Sequence, residues 1–263
     1  MSVLVIAEPG CTHEGSYEKL VQLLETAAAC GANVFKPQWV SDPVAMCERR
    51  HIGPEHEKRA YYERAYGWLK FPVDWHADLR DRCKLLGMQY ACTVFLTQDV
   101  ATIAPFVDYL KISSFEANDE ELSRAWWPHR RRVILSTGMQ GAGLGLMPVP
   151  FGLLHCVTSY PSPPSAMNLR VFDDSNYEYN GLSDHSRHLL TGSLAVALGA
   201  EIIETHYRLD ACDPNNPDHA VAFTPAEFTQ YVKNIRDAEL MLGDGVKRVQ
   251  PCEAWALPYR VVT

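Results

Sequence analysis

The chain has 263 residues, of which 47% are hydrophobic and 21% are charged, a balance typical of globular rather than disordered proteins. Its formal net charge is −8, and apart from Arg130-Arg131-Arg132 the basic residues form no run, so no nucleic-acid-binding surface is expected. The sequence shows no apolar run of membrane-spanning length and no secretory leader before Val3, and its eight cysteines form no CxxC pair. We therefore expect a cytoplasmic protein with reduced thiols that binds neither nucleic acid nor a membrane.

Short apolar runs alternate with amphipathic stretches along the chain. We predict eight strands, at residues 3–7, 33–38, 88–93, 107–112, 133–136, 151–156, 179–182 and 201–204. Helical patterns lie between most of them, at residues 16–30, 74–86, 119–127, 188–198 and 225–242. Eight alternating units predict an α/β fold, a single (β/α)8 TIM barrel over residues 1–263. An open doubly wound sheet is the main alternative, but no glycine-rich dinucleotide turn follows the first strand.

Two connections depart from this regular alternation. Residues 41–70 form a long insertion after the second strand that is rich in charged and aromatic residues, which predicts a lid or an extra helical hairpin. Residues 141–150 leave only ten positions between strands five and six, with three glycines and two prolines, too few for an ordinary crossover helix. We therefore expect a missing or vestigial helix there, with the exposed barrel flank covered by residues 144–149 or by a partner subunit.

Polar side chains stand at the carboxyl ends of the predicted strands, where a TIM barrel carries its chemistry. In chain order they are Glu8; Lys36 and Gln38; Thr93; Lys111, Ser114 and Glu116; Ser136 and Thr137; His155, Thr158 and Tyr160; Ser183 and His185; and Glu204 and His206. Lys36 and Lys111 would converge on one anionic group. The hydroxyls of Ser114, Ser136 and Ser183 would complete a cradle for a phosphate or a carboxylate. A single lysine at such a position is more often a surface side chain. The prediction of an anion site therefore depends on there being two lysines at the rim.

Two of these residues, His185 and His206, each follow an acidic residue, in Ser183-Asp184-His185 and Glu204-Thr205-His206. Both histidines come where an apolar run stops, so parallel strands would bring the imidazoles to one rim of the sheet. Neutral imidazole is the commonest ligand of a catalytic divalent ion. Two ligands alone do not define a metal site, however, and two unrelated histidines remain the alternative at this point.

Eight short segments follow one another in the order found in a known enzyme family. They are Ile6-Ala7-Glu8, Lys36-Pro37-Gln38, Lys111-Ile112-Ser113-Ser114-Phe115-Glu116, Leu135-Ser136-Thr137-Gly138-Met139, Leu153-Leu154-His155-Cys156, Gly181-Leu182-Ser183-Asp184-His185, Glu204-Thr205-His206 and Pro217-Asp218-His219. With them the chain resembles the N-acetylneuraminate (sialic acid) synthase family, which condenses phosphoenolpyruvate with a sugar aldehyde. The resemblance spans roughly residues 3–253, and its strength lies in eight motifs in register rather than in any one of them.

The resemblance implies a role for each matching residue. The phosphate and carboxylate of phosphoenolpyruvate would be held by Lys36, Gln38, Thr93, Lys111, Ser114, Ser136, Thr158, Tyr160 and Ser183. His185 and His206 would bind a divalent ion, Mn²⁺ or Mg²⁺, that polarises the aldehyde oxygen. Glu8, Glu116, Glu204 and Asp218 would face the aldehyde as catalytic groups, and Glu116 is the candidate to protonate the nascent alkoxide.

Some positions depart from the family pattern. Family members usually continue into a small antifreeze-like domain whose arginine reaches across a dimer to the acceptor, and this chain stops at Thr263. We therefore expect an acceptor outside the usual N-acetylmannosamine type, or a separate protein that supplies the contact. Separately, we expect a homodimer or larger assembly that covers the barrel flank left by the missing helix. Thr158 stands where the family often has Asn or Ser, and Asn215-Asn216-Pro217 replaces Pro-Gly-Pro before the acceptor-facing Asp218.

Three alternatives stay open on the sequence. One is a related synthase of the heptulosonate or octulosonate kind, whose motifs fit less well. Another is a pyruvate aldolase that uses a Schiff base, for which Lys111 is the one good candidate. From a different class, a non-catalytic barrel could serve as a binding or assembly subunit, although the intact lysines and histidines disfavour it.

Overall fold

A computed structural model describes residues 2–139, 151–173 and 178–261. Eight parallel strands close into a barrel in sequence order, which confirms the predicted TIM barrel and excludes the open sheet. The strands are β1 Leu4–Gly10, β2 Val34–Trp39, β3 Gln89–Val94, β4 Tyr109–Ile112, β5 Arg132–Thr137, β6 Gly152–Cys156, β7 Gly181–Asp184 and β8 Ile202–His206. The α-helices are α1 Tyr17–Ala29, α2 Pro43–Arg49, α3 Arg59–Leu69, α4 Asp74–Leu85, α5 Val100–Ile103, α6 Glu120–Trp126, α7 Thr191–Ala197 and α8 Pro225–Leu242.

The strands β1, β2, β3, β5, β7 and β8 run one to three residues beyond their predicted carboxyl ends. In β1, β5, β7 and β8 the extra residues include polar ones, which pair with neighbouring strands instead of leaving the sheet. Glu8 lies opposite His206, and Ser183 lies opposite Glu204. Because every strand is parallel, the predicted polar strand ends meet at one rim of the barrel.

Two apolar layers hold the barrel. Inside it, a small cluster closes the end opposite the polar rim and consists of Ile6, Val34, Ala91, Tyr109, Ile134, Leu154 and Ile202. This interior is crowded: a Cβ added to Gly181 would lie 2.4 Å from the Leu154 side chain, so only glycine fits there. A larger cluster between the strands and the outer helices joins residues such as Phe35, Leu79, Leu110 and Phe228, and buries most of the apolar surface that drives folding.

The insertion after β2 forms a helical hairpin, α2 and α3. An extra helical hairpin was one of the two structures predicted for it, the other being a lid. Helix α2 starts at an N-cap, Asp42, whose carboxylate accepts hydrogen bonds from the amides of Val44 and Ala45. The hairpin covers part of the polar rim through a separate apolar cluster of Cys11, Val40, Met46, Leu69, Phe95 and Leu96. We call residues 41–70 the α2–α3 hairpin.

Residues 141–150 lie outside the described ranges, so the missing helix between β5 and β6 stays a prediction. Between β6 and β7 the described residues form the short 3-10 helices Pro164–Ala166 and Leu169–Asp173, and no α-helix among them. In the described part of the chain, no helix is long and apolar enough to cross a membrane.

Candidate active site

A small polar cleft lies among the carboxyl ends of the strands. Its walls are Glu8, Lys36, Gln38, Thr93, Lys111, Ser113, Ser114, Ser136, Tyr160, Ser183, His185, Glu204 and His206. All of these except Ser113 are among the fifteen site residues predicted from the sequence. Thr158, Glu116 and Asp218 are the predicted residues that the described walls of this cleft do not include.

Two buried lysines and two buried glutamates form the floor of the cleft. The ammonium Nζ of Lys36 lies 2.9 Å from Glu8 Oε2 and 3.5 Å from Glu204 Oε2, while Lys111 Nζ lies 3.4 Å from Glu204 Oε1. Burial alone would raise the pKa of Glu8, but the charges of Lys36, His206 and Lys111 outweigh it and hold this pKa far below its usual range. Glu8 is therefore a carboxylate at neutral pH.

Burial alone would lower the pKa of Lys36. The charges of Glu204 and Glu8 outweigh burial and raise this pKa above its usual value, so the ammonium keeps its proton and its charge. A lysine held in this state is an anion-binding group rather than a Schiff-base nucleophile, which must lose its proton to react.

Hydroxyl groups from several strands surround the lysines. Lys36 Nζ donates a hydrogen bond of 2.8 Å to Thr93 Oγ1, and Ser183 Oγ donates one of 3.0 Å to Glu204 Oε1. Thr158 Oγ1 donates to Ser114 Oγ at 3.0 Å, so it stands behind Ser114. The buried hydroxyl of Ser136 has no hydrogen-bond partner among the described residues. A buried hydroxyl without a protein partner is available to bond a ligand atom or a water molecule.

The two histidines meet at the upper edge of the cleft, with 5.5 Å between their ring centroids. His185 Nδ1 lies 3.0 Å from the carbonyl oxygen of Val157, which makes Nδ1 the protonated nitrogen and leaves Nε2 as an acceptor. The buried His206 Nδ1 has no hydrogen-bond partner in the described part of the chain. The Tyr160 ring packs against His185, with 4.3 Å between ring centroids and 34° between the ring planes.

These histidines fit a divalent ion, although no cluster of three or more His, Cys, Asp or Glu among the described residues forms a ligand set. Two carboxylates lie near the His206 ring: Glu8 Oε2 is 3.8 Å from Nε2, and Asp218 Oδ2 is 4.0 Å from Nδ1. An imidazole nitrogen that is buried without a partner suits a metal bond, and open positions suit a catalytic ion rather than a structural one.

Asp218 is anchored to the first strand from far along the chain. Its Oδ2 accepts a hydrogen bond of 2.8 Å from the amide of Cys11. The carboxylate occupies space that only a glycine leaves open, because a Cβ on Gly10 would lie 2.1 Å from Oδ2. Gly10 also has a positive φ of 52°, so both its backbone and its missing side chain serve this contact.

Glu116 is buried, with 1% of its side chain exposed, and it faces the α2–α3 hairpin. Its Oε1 lies 2.6 Å from Arg50 Nη2 and 3.7 Å from Arg49 Nε. Sequence reasoning missed both arginines, although an adjacent pair of cations inside an aromatic insertion was a visible signal. The carboxylate predicted to face the aldehyde thus forms ion pairs with the hairpin.

A second and larger cavity lies outside the cleft, between the barrel rim and the hairpin. We call it the outer chamber; its volume is about 530 Å³. Its walls are Gln38, Met46, Arg50, Ile52, His56, Glu57, Lys58, Tyr62, Tyr66, Phe95, Ser113, Phe115, Tyr160, His206 and Asp218. Four of these residues also line the cleft, namely Gln38, Ser113, Tyr160 and His206. The two cavities therefore meet at His206 and Tyr160.

A family model described as the NeuB family matches residues 23–247, which is most of the chain. The chain belongs to the NeuB family. The pseudaminic acid synthase of Campylobacter jejuni is 31% identical over 263 residues, covering 92% of this chain and 76% of the relative. The N,N'-diacetyllegionaminic acid synthase of Legionella pneumophila is 29% identical and covers 100% of this chain and 78% of the relative.

A solved structure agrees with these NeuB relatives. The N-acetylneuraminic acid synthetase of Leptospira borgpetersenii, determined in complex with citrate, superposes with a TM-score of 0.82 at 27% identity, covering 99% of this chain and 92% of that one. The expected resemblance to N-acetylneuraminate synthases is thereby confirmed, and so is the expectation of an enzyme of this synthase class.

Proposed function

We propose that this NeuB-family enzyme condenses phosphoenolpyruvate with an aldose, or another aldehyde, and releases phosphate to give a sialic-acid-like 2-keto acid. One observation carries the proposal: two buried lysines share a cleft with two histidines, and there the Ser136 hydroxyl and His206 Nδ1 have no hydrogen-bond partner among the described residues. The cleft suits a small anion, and the histidine pair beside it suits an ion that activates a carbonyl.

Phosphoenolpyruvate would occupy the cleft floor. Lys36 and Lys111 would bind its phosphate and carboxylate, and hydroxyls and amides around them would complete the contacts, from Gln38, Thr93, Ser114, Ser136, Tyr160 and Ser183. Thr158 would orient the Ser114 hydroxyl, to which it donates a hydrogen bond. Because the cleft holds lysines on two strands and hydroxyls on others, it would fix the substrate's orientation before the aldehyde arrives.

His185 and His206 would hold the divalent ion, Mn²⁺ or Mg²⁺. When bound, this ion would supply Lewis-acid polarisation of the aldehyde oxygen. Two carboxylates beside the histidines are held in place by their neighbours. Asp218 is fixed by the Cys11 amide, and Glu8 is fixed by Lys36 and by Gln38, whose Nε2 donates to Glu8 Oε1 at 2.5 Å.

The reaction forms a bond from C3 of phosphoenolpyruvate to the aldehyde carbon, and the aldehyde oxygen takes a proton to become a hydroxyl. Water adds at C2 and gives up one proton, which balances the proton taken by the aldehyde oxygen. The C2–O bond to phosphate then breaks, the remaining C2 hydroxyl proton passes to the leaving phosphate, and inorganic phosphate and the 2-keto acid result. Glu8 cannot donate the proton, because its pKa is held far below the usual range. Glu204 and Asp218 are the carboxylates left near the aldehyde, and we assign to this pair the relay of a proton from the attacking water to the aldehyde oxygen.

Glu116 would act through the hairpin. Its ion pair with Arg50 fixes α2 above the rim, so we assign it a positioning role in place of direct proton transfer.

Phosphate release from phosphoenolpyruvate tests the proposal. The purified chain is incubated with Mn²⁺ and a panel of aldoses and simple aldehydes, with free phosphate as the readout and the 2-keto acid identified by mass. We expect release that needs both an aldehyde and the metal. Absence of release with every aldehyde, together with no binding of phosphoenolpyruvate or Mn²⁺ by calorimetry, would leave the non-catalytic barrel as the better account.

We also propose that this single barrel assembles into a homodimer or larger oligomer in the cytoplasm. The carboxyl-terminal part of the described chain exposes large apolar side chains that suit burial in an interface, with Met241 84%, Trp255 75% and Tyr259 80% exposed. All eight cysteines are free thiols, which fits a reducing compartment. A monomeric mass by light scattering at micromolar concentration would contradict the assembly.

A further inference from the structure

Asn216 is a buried side chain in the loop after β8, and its side-chain hydrogen bonds go to Cys11 and to Asp218. Only 4% of the residue is exposed, although asparagine is usually found at protein surfaces. Its Nδ2 donates a hydrogen bond of 2.9 Å to the carbonyl oxygen of Cys11. Its Oδ1 accepts one of 3.0 Å from the amide of Asp218 and one of 3.1 Å from the thiol Sγ of Cys11. One side chain therefore links this loop to the end of β1 and shapes the backbone that carries Asp218.

The link matters because Asp218 and His206 lie on differently constrained parts of the chain. His206 is the last residue of β8 and pairs with Glu8 in β1, so the barrel fixes its position. Asp218 lies in the loop between β8 and α8. Cys11 follows β1 directly, and its amide donates to Asp218 Oδ2 at 2.8 Å. By joining the loop to Cys11, Asn216 places the carboxylate in the frame of the barrel.

Other contacts of the same loop act further from the carboxylate. Glu14 Oε1 accepts a hydrogen bond of 2.7 Å from the amide of Asp213, which holds the start of the loop. Asn215 is exposed, and its amide and Nδ2 donate to Asp213 Oδ1 at 2.9 Å and 3.1 Å, within the loop itself. The contacts of Asn216 reach the residue whose position matters for the proposed reaction.

Asn216 stands where the family pattern has the glycine of Pro-Gly-Pro. A glycine has no side chain and could make none of the contacts to Cys11 and Asp218. The link is therefore a feature of this chain rather than of the pattern.

We infer that Asn216 is a positioning residue for the condensation, which acts through Asp218 by holding its carboxylate beside His206. The two groups lie 4.0 Å apart, from Oδ2 to Nδ1. This inference rests on the proposed function and adds to it a residue outside the described walls of both cavities. Moving a catalytic group by about 1 Å can cost about a hundredfold in rate, so a side chain that does not touch the substrate can still set the rate.

Phosphate release measures the effect on turnover. Mannose, glucose and galactose are each supplied as the free sugar, the 2-acetamido sugar and its 6-phosphate, with phosphoenolpyruvate and Mn²⁺, and the sugar with the highest turnover is used. For Asn216→Ala we expect kcat/KM for this sugar to fall by about tenfold or more. The KM for phosphoenolpyruvate should stay unchanged, because Lys36 and Lys111 are not disturbed. Asn215→Ala is the matched control and should keep full activity.

A double-variant cycle separates positioning from a general loss of stability. In a chain that already carries Asp218→Ala, the change Asn216→Ala should lower kcat/KM by no more than about twofold, since the group it positions is gone. A structural role alone would lower kcat/KM by the same factor with and without the carboxylate. If Asn216→Ala does not fold, Asn216→Gly is the second variant, because glycine is the residue of the family pattern, and the same results are expected from it.

Hydrogen exchange at the Cys11 amide tests the link without any substrate, because this amide donates to Asp218 Oδ2. We expect Asn216→Ala to speed this exchange by about tenfold, the effect of losing a contact worth about one hydrogen bond. Asn215→Ala should leave the exchange rate unchanged.

An unchanged exchange rate at Cys11 in Asn216→Ala would overturn the inference, as would an equal fall in kcat/KM with and without the Asp218 carboxylate. Failure of the proposed function looks different, because the unaltered chain would then release no phosphate with any aldehyde. The exchange measurement would still report whether Asn216 holds Asp218 in place.

Discussion

Asp218 lies beside His206, with 4.0 Å between the carboxylate Oδ2 and the imidazole Nδ1, and both groups border the space above Gly10. Three parts of the chain thus meet at the point where the cleft opens into the outer chamber. The relationship depends on the absence of a single methyl group.

Gly10→Ala would place its Cβ 2.1 Å from Asp218 Oδ2 and 3.1 Å from His206 Nδ1. We expect the displaced carboxylate to lower acceptor-dependent kcat/KM by about a hundredfold, while affinity for phosphoenolpyruvate is retained. Gly87→Ala is the matched control, since Gly87 also has a positive φ, of 71°, but has nothing within 4 Å of the added Cβ. Equal losses of activity in both variants would attribute the effect to backbone strain instead.

Lys36→Met should destabilise the fold as well as abolish turnover. Removing this ammonium leaves Glu8 and Glu204 buried without their shared partner, which costs about 3–5 kcal/mol of the free energy of unfolding. Urea unfolding measures the loss. The double variant Lys36→Met/Glu204→Gln should regain part of the stability without regaining phosphoenolpyruvate binding. If the double variant binds phosphoenolpyruvate normally, Lys36 is not a substrate ligand.

His206→Ala should remove metal binding while leaving the barrel folded. Its side chain carries a buried nitrogen without a hydrogen-bond partner in the described chain, so we expect Mn²⁺ affinity, measured by calorimetry, to fall by about a hundredfold or more. His188→Ala, at an exposed position in the loop after β7, is the control. Full turnover by His206→Ala in metal-free buffer would contradict the metal assignment.

Replacing Glu116 separates a positioning role from a catalytic one. Glu116→Gln removes the charge that binds Arg50, so we expect a higher KM for the acceptor with a smaller change in kcat. The pH profile of kcat should keep its shape. A proton donor would behave differently: its loss would lower kcat by about a hundredfold or more and remove one limb of the profile.

Two buried histidines should make the fold sensitive to mild acid. Burial lowers the pKa of His76 to about 3 and, with the charge of Lys19 adding to it, that of His13 to about 3, from an ordinary value of 6.5. Below pH 6.5 the unfolded chain binds protons that the folded chain does not, so stability falls with pH until about pH 3. From pH 6.5 to 5 we expect a loss of about 2 kcal/mol for each histidine.

Urea unfolding at these two pH values measures that loss. His76→Gln should flatten the pH dependence, whereas His188→Gln, at an exposed position, should leave it as it is. An unaltered slope in His76→Gln would mean that His76 is accessible to protons in the folded state.

Sequence reasoning located the cleft because parallel strands all end at one rim. Lys36 and Lys111 could be assigned to it from the strand pattern alone, since the position of a residue along its strand fixes its depth in the barrel. The same logic could not orient Glu116, which comes after β4. Its direction is set by Arg50, which is 66 positions earlier in the chain and in an insertion with no barrel periodicity.

Asp218 shows a second limit of the same kind. The motif assigned it to the acceptor, but its position follows from a hydrogen bond to the amide of Cys11, 207 residues away, and from the space above Gly10. Contacts between distant loops depend on how those loops pack, and that packing leaves no periodic signal in the sequence.

The division between barrel and hairpin has an evolutionary consequence. The groups proposed to bind phosphoenolpyruvate lie on the strands or just after them, whereas much of the wall of the outer chamber comes from residues 41–70, which join the barrel between β2 and α4. Substitutions within this one insertion could therefore change the acceptor while the groups proposed to bind phosphoenolpyruvate stay the same. A chimaera that carries this insertion from a relative should show the acceptor preference of that relative.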